Sequence, residues 1–201
     1  MQFRTLGAIS LIAAAISPSF VRAQDALPYS AGQWGLEASA STNPEGGVLR
    51  FFSPKIALVL TGSYAKLSTT DAVTDPFGSP AATVKTDQSE ATARLGLRFY
   101  RPIATSLVQF TTVGVTADHL SQTQDDPFSG GRFDVTLNGL GAFGEVGAQY
   151  HLGARFALGA AFRAEYLHVT GKTTGSSGAE GTTTGNGFSF DFTPIRASIF
   201  F

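Results

Sequence analysis

The chain contains no cysteine. That excludes disulfides, zinc-thiolate sites, a cysteine nucleophile and a lipidated cysteine anchor. Charge is scarce as well. Asp, Glu, Lys and Arg make up 14% of 201 residues, and the formal net charge is −1. Such a balance excludes a polybasic nucleic-acid binder. No stretch reaches the about 18 unbroken apolar residues of a membrane-crossing helix, and none carries a sustained helical stripe.

What the chain has instead is alternation with a period of two. In "ATARLGLRFY", Ala91, Ala93, Leu95, Leu97 and Phe99 share one face, opposite Thr92, Arg94, Gly96 and Arg98. In "RFALGAAFRAEYLH", Phe156, Leu158, Ala160, Phe162, Ala164 and Tyr166 oppose Ala157, Gly159, Ala161, Arg163 and Glu165. Trp34, Leu36, Ala38 and Ala40 likewise oppose Gln33, Gly35, Glu37 and Ser39. This is the signature of strands with two different faces. It predicts eight strands, over 32–42, 47–53, 56–68, 89–100, 107–118, 133–150, 156–170 and 187–201. Most approach or exceed the roughly 9–11 residues that cross a membrane obliquely.

The connections alternate in length. Tight ones are expected at Ser53–Lys55, Arg101–Ser106 and His151–Arg155. Long ones rich in Gly, Ser, Thr, Asp and Pro are expected at 69–88, 119–132 and 171–186, and the short Asn43–Gly46 turn falls on their side. Two strands change phase. The sixth does so across Gly139, Gly141 and Gly144, and the eighth across Thr193-Pro194. A β-bulge is expected at each, because one extra residue restores the inward and outward sense.

The N-terminal stretch "MQFRTLGAISLIAAAISPSFVRAQ" reads as a secretory signal over 1–23, with the mature domain over 24–201. Arg4 supplies the charged start, Leu6–Ile16 the apolar run, and Val21-Arg22-Ala23 the small residues before cleavage. Without Arg4 and Arg22 the 14 basic residues fall to 12, against 15 acidic, a formal charge of −3.

The distribution of size and charge between the faces decides which one points out. A soluble barrel keeps large apolar residues inside. Here the charged face is also the small-residue face, which suits the narrow interior of an eight-stranded barrel. The large apolar face then meets lipid, and the sheet must close so that no backbone group is left unpaired there. Aromatics gather near strand ends. Trp34, Phe52, Tyr100, Tyr150, Phe156 and Phe201 lie toward the tight turns, and Tyr64, Phe133, Tyr166 and Phe188 toward the long loops. Two aromatic girdles are expected of a membrane barrel. The fold expected is all-β, a closed eight-stranded antiparallel up-and-down transmembrane barrel.

On this orientation the lumen holds Glu37, Arg50, Arg94, Arg98, Glu145, Arg163, Glu165, Asp191 and Arg196. Buried charges must pair, so these form either a polar plug or an ion path, and the plug is the expectation. No loop has the ligand spacing of a dedicated calcium site, and no metal or cofactor is expected. "DPFGSP" at Asp75–Pro80 and "DPFSGG" at Asp126–Gly131 read as two similar turns. Lys55, Arg101 and Arg155 in the tight turns suit an anionic inner leaflet.

The motifs "FFSPKIAL", "LGLRFYRP", "GEVGAQYHL" and "ALGAAFRAEY", with the ending "IRASIFF", resemble the small outer-membrane barrels of the OmpA/OmpX type. The resemblance spans the mature chain. It implies an outer-membrane location, contact with outer-membrane lipids and lipopolysaccharide, and a structural, adhesive or recognition role. It also implies that Ile199 and Phe201 form an assembly signal read by the barrel assembly machinery. Arg196 departs from the glycine common at its position. Some lipid A deacylases are small barrels with a His-x-Ser pair on the lipid-facing wall. His119 with Ser121 matches that spacing, and His168 stands two residues from Thr170, but Gln122 and Thr123 depart from the deacylase pattern. A non-enzymatic protein is expected, with a lipid-modifying enzyme or a narrow solute channel as alternatives.

Overall fold

The computed structural model describes residues 27–40, 44–73, 82–125, 131–175 and 178–201. The expected signal over 1–23, the first Asp-Pro-Phe segment and residues 126–130 of the second lie outside these. Eight strands follow one another: β1 (Trp34–Ala40), β2 (Glu45–Ser53), β3 (Ile56–Val73), β4 (Ala82–Ala104), β5 (Leu107–Asp125), β6 (Arg132–His151), β7 (Phe156–Thr174) and β8 (Glu180–Phe200). Each pairs antiparallel with its successor, and β8 returns to β1 to close the ring. Closure runs from Gly35 opposite Phe200 to Ala40 opposite Ile195.

The faces are distributed as the alternation predicts. Leu36, Leu60, Leu95, Leu97, Val113, Val115, Leu158 and Phe162 are exposed on the outer wall. Glu37, Arg98, Thr112, Glu145, Arg163 and Arg196 are buried inside. A folded protein whose large apolar residues face out and whose arginines face in is built for an apolar surrounding. Along β7 the outer belt runs from Phe156 to Tyr166. The ten steps between them, at ~3.3 Å rise and ~40° tilt, span roughly 25 Å, the height of the apolar band in outer-membrane barrels. Trp34, Phe52, Tyr150 and Phe201 rim its lower edge, at the tight turns, and Tyr64, Tyr166 and Phe188 its upper edge. Tyr100 leaves the expected lower girdle: it is 4% exposed and points into the lumen. Phe133 leaves the upper one, because it shares the inward parity of Phe143 and Glu145 along β6.

Most of the expected long loops are strand. β4 begins at Ala82, β5 runs to Asp125, and β7 and β8 extend to Thr174 and from Glu180. These stretches stand above the apolar belt, with polar side chains on both faces. Alternation is lost there, but the ladder hydrogen bonds continue, and threonine-rich stretches such as 182–184 suit extended backbone. The change of phase expected as a bulge in β6 is not one. Its register with β5 and β7 is unbroken. Phe133, Val135 and Leu137 lie on the inward side of the wall above the belt, where the outer face no longer has to be apolar. The expected bulge in β8 is present. Gly159 pairs with Arg196 and Ala161 with Thr193, so β8 carries one extra residue at Pro194-Ile195. That residue lets Phe188, Phe190 and Phe192 face outward together with Ile195, Ala197 and Ile199.

The wall is not equally tall all round. β1 and β2 have 7 and 9 residues, against 18 to 23 in the other strands. β2 pairs with β3 only up to Gly62, and β1 with β8 only from Ile195. Above that level no described strand lies between β3 and β8. The short first hairpin therefore leaves a notch in the upper wall.

Candidate functional site in the barrel lumen

From the lower end upward, the lumen is filled in layers. The lowest is aromatic. Leu27–Gln33 precedes β1 and places Tyr29 inside the barrel. A turn in which Gln33 N–H donates to Ser30 C=O then leads into β1. Its third residue, Gly32, has φ +85°, a left-handed conformation that glycine adopts at little cost. Tyr29 stacks on Phe51 with centroids 4.5 Å apart, and lies 4.7 Å from Tyr100 and 5.2 Å from Phe200. Its hydroxyl is 2.8 Å from His151 Nε2 and accepts from Gln149 Nε2. Burial pushes the Tyr29 phenol well above its usual range, so it stays protonated.

Phe110 caps this layer from above. Arg98 and Arg196 lie over its ring at 4.5 and 5.3 Å. Here the ionic layer begins, and Glu145 is its hub. Arg196 grips Glu145 with two hydrogen bonds of 2.7 and 2.6 Å, and Arg98 and Arg163 reach it at 3.1 and 3.2 Å. Arg98 also holds Glu37 at 2.6 and 3.1 Å and Thr112 at 2.9 Å. Paired forks of this kind are the strong form of a charged hydrogen bond. Glycine makes room for the ring above: a Cβ on Gly114 would stand 2.2 Å from Leu95 O and 2.7 Å from Phe143.

Higher up, Arg163 holds both oxygens of Glu45 at 2.7 and 2.8 Å. Arg94 bridges Glu45 at 2.6 Å and Glu165 at 2.9 Å. Above this pair a cavity of about 270 Å³ opens, lined by Glu45, Glu90, Arg94, Asp118, Arg163, Glu165 and Asp191, with Leu167 and Phe190 among its apolar contacts. Phe190 belongs to the outer face of β8. Its presence in the lining places the cavity at the notch.

Of the nine lumen residues expected from the sequence, seven join one network: Glu37, Arg94, Arg98, Glu145, Arg163, Glu165 and Arg196. Asp191 faces inward opposite Arg163 but makes no ion pair among the described residues. Arg50 is a correction. It lies on the outer side of β2, 4.7 Å over the Trp34 ring, and donates to Gly32 O. The second strand is apolar on both parities (Val48, Leu49, Phe51, Phe52), so its orientation was ambiguous, and Leu49 and Phe51 point in. Glu45, read as part of a turn, is the acid that this strand contributes. Glu90 and Asp118 were also missed, though extending the parity of Thr92 and Arg94 down to 90, and of Thr112 and Thr116 up to 118, finds both.

His119 and His168 are both on the outer face and each meets an asparagine across the strand pair. Nδ1 of His119 is 2.9 Å from Asn138 Oδ1, and Nδ1 of His168 is 2.8 Å from Asn186 Oδ1.

No protein-family model matches the chain, and no curated protein matches it. Solved structures do. A major outer membrane protein from Thermus thermophilus aligns over 84% of this chain and 99% of its own, at 16% identity and a TM-score of 0.59. The outer membrane protein OprG from Pseudomonas aeruginosa aligns over 86% and 97%, at 14% identity and a TM-score of 0.54. The chain has the fold of the small outer-membrane β-barrels.

Proposed function

We propose that this chain is an integral outer-membrane barrel without enzymatic activity that holds a strand-built surface above the lipid. The apolar belt of roughly 25 Å around an ionic interior carries the reading. A plugged lumen suits a structural or display role better than conduction, since the lower half is closed by Tyr29, Phe51, Tyr100, Phe110 and Phe200. Its neighbours would be outer-membrane lipids and lipopolysaccharide, and the assembly machinery during insertion.

Fractionation of expressing cells tests this. The mature chain should appear in the outer membrane and shift its gel mobility on boiling, and lipid A composition should be unchanged. A soluble periplasmic form, or loss of an acyl chain that depends on His119, would refute it. Removing Phe201 should impair insertion, because its backbone exchanges two hydrogen bonds of 3.0 Å with Trp34 at the closing seam. Insertion at undiminished yield would show that the ending is not an assembly signal.

A further inference from the structure

The charge of the lumen is not evenly balanced. In the lower ionic layer two carboxylates, Glu37 and Glu145, meet two guanidiniums, Arg98 and Arg196. Around the upper cavity five carboxylates face two guanidiniums, so three negative charges there are uncompensated. Moreover, the carboxylates are not all satisfied. Glu165 is 5% exposed, yet among the described residues its Oε1 has no hydrogen-bond partner, and neither has the buried Oδ1 of Asp118. Buried carboxylate oxygens without donors are costly. A donor-rich cation entering the cavity would supply what both lack.

We infer that this upper cavity is a binding site for a small organic cation bearing a primary ammonium group. An ammonium offers three N–H donors and no acceptor, which complements Glu165 Oε1, Asp118 Oδ1 and the carboxylates of Glu90 and Asp191. Leu167, on the inward side of β7, gives its carbon chain an apolar contact. A bare metal ion fits less well. Among the described residues no three acidic or histidine side chains converge as a metal site. The size, about 270 Å³, is near the lower end of ligand pockets and suits a molecule such as a short diamine. Entry is from the upper mouth and the notch beside β8, while the ionic layer below Arg163 closes the way down.

The test uses the folded full-length mature barrel in detergent, with 1,4-diaminobutane as the probe and butyrate and calcium as comparisons. Calorimetry should show saturable diamine binding, and NMR should show shifts at Leu167. Asp118→Asn should weaken binding by ~10-fold or more, consistent with loss of a charge-assisted hydrogen bond. Glu90→Gln should weaken it in the same direction. Asp87→Asn, which removes an exposed acid that is not among the cavity-lining residues, should leave it unchanged. The boiling-dependent gel shift confirms that each variant is folded. Absence of saturable binding by the unmodified protein would overturn the proposal. So would equal loss with Asp118→Asn and Asp87→Asn, displacement of the diamine by calcium at matched ionic strength, or equal binding of butyrate. Membrane placement is read separately by fractionation, so either result can fail alone.

Discussion

The lower and upper parts of the lumen use the same residue types differently. Below, every guanidinium has a carboxylate and every carboxylate a guanidinium, with Glu145 at 4% exposure shared by three arginines. Above, the acids outnumber the arginines and the space between them is open. Desolvation explains the contrast. A charge in the closed lower part has no water to turn to, so a partner is obligatory. Glu90 and Asp191, nearer the mouth, are partly exposed, keep some of their hydration and stand without an arginine partner among the described residues. The lower part therefore serves the fold, and the upper part is free to take a ligand.

Three substitutions probe that division. Glu145→Ala should have the largest effect, because it leaves Arg98, Arg163 and Arg196 facing one another. Loss of one buried partner typically costs about 3–5 kcal/mol. Urea unfolding in liposomes measures it, and a loss no greater than at the mouth would erase the distinction. Tyr29→Phe should cost less, about 1–3 kcal/mol, because the ring remains while Gln149 and His151 lose their shared hydroxyl. Asp191→Asn should shift stability by less than ~0.5 kcal/mol, as expected for a partly exposed group without an ion pair.

The same boundary marks what could be read from the sequence. Within the belt, lipid outside and a narrow lumen inside force apolar and polar residues onto opposite parities. Arg94 and Arg98, Arg163 and Glu165, and the phase change at Pro194 were all legible for that reason. Arg50 was not. Its neighbours on both parities are apolar, and an arginine at the lower rim can lie along Trp34 instead of turning inward. Above the belt water reaches both faces and the constraint vanishes. Residues 82–88 and 180–186 therefore look like loops, although neighbouring strands hold them extended. The same loss of constraint made Phe133, Val135 and Leu137 look out of phase. Tyr29 precedes the first strand, and no periodicity could assign it to the plug.

The central claim is that lipid, not water, surrounds the lower barrel. The absence of cysteine makes a direct test simple, since a single cysteine can be placed anywhere and spin-labelled. Labels along 84–99 in liposomes should be scanned for collision with oxygen, which concentrates in lipid, and with a water-soluble nickel chelate. The account predicts a two-residue alternation from 91 to 99, with oxygen maxima at Ala91, Ala93, Leu95, Leu97 and Phe99, fading into uniform nickel access below residue 89. Nickel maxima at Leu95 and Leu97, or equal oxygen access at both parities, would contradict it.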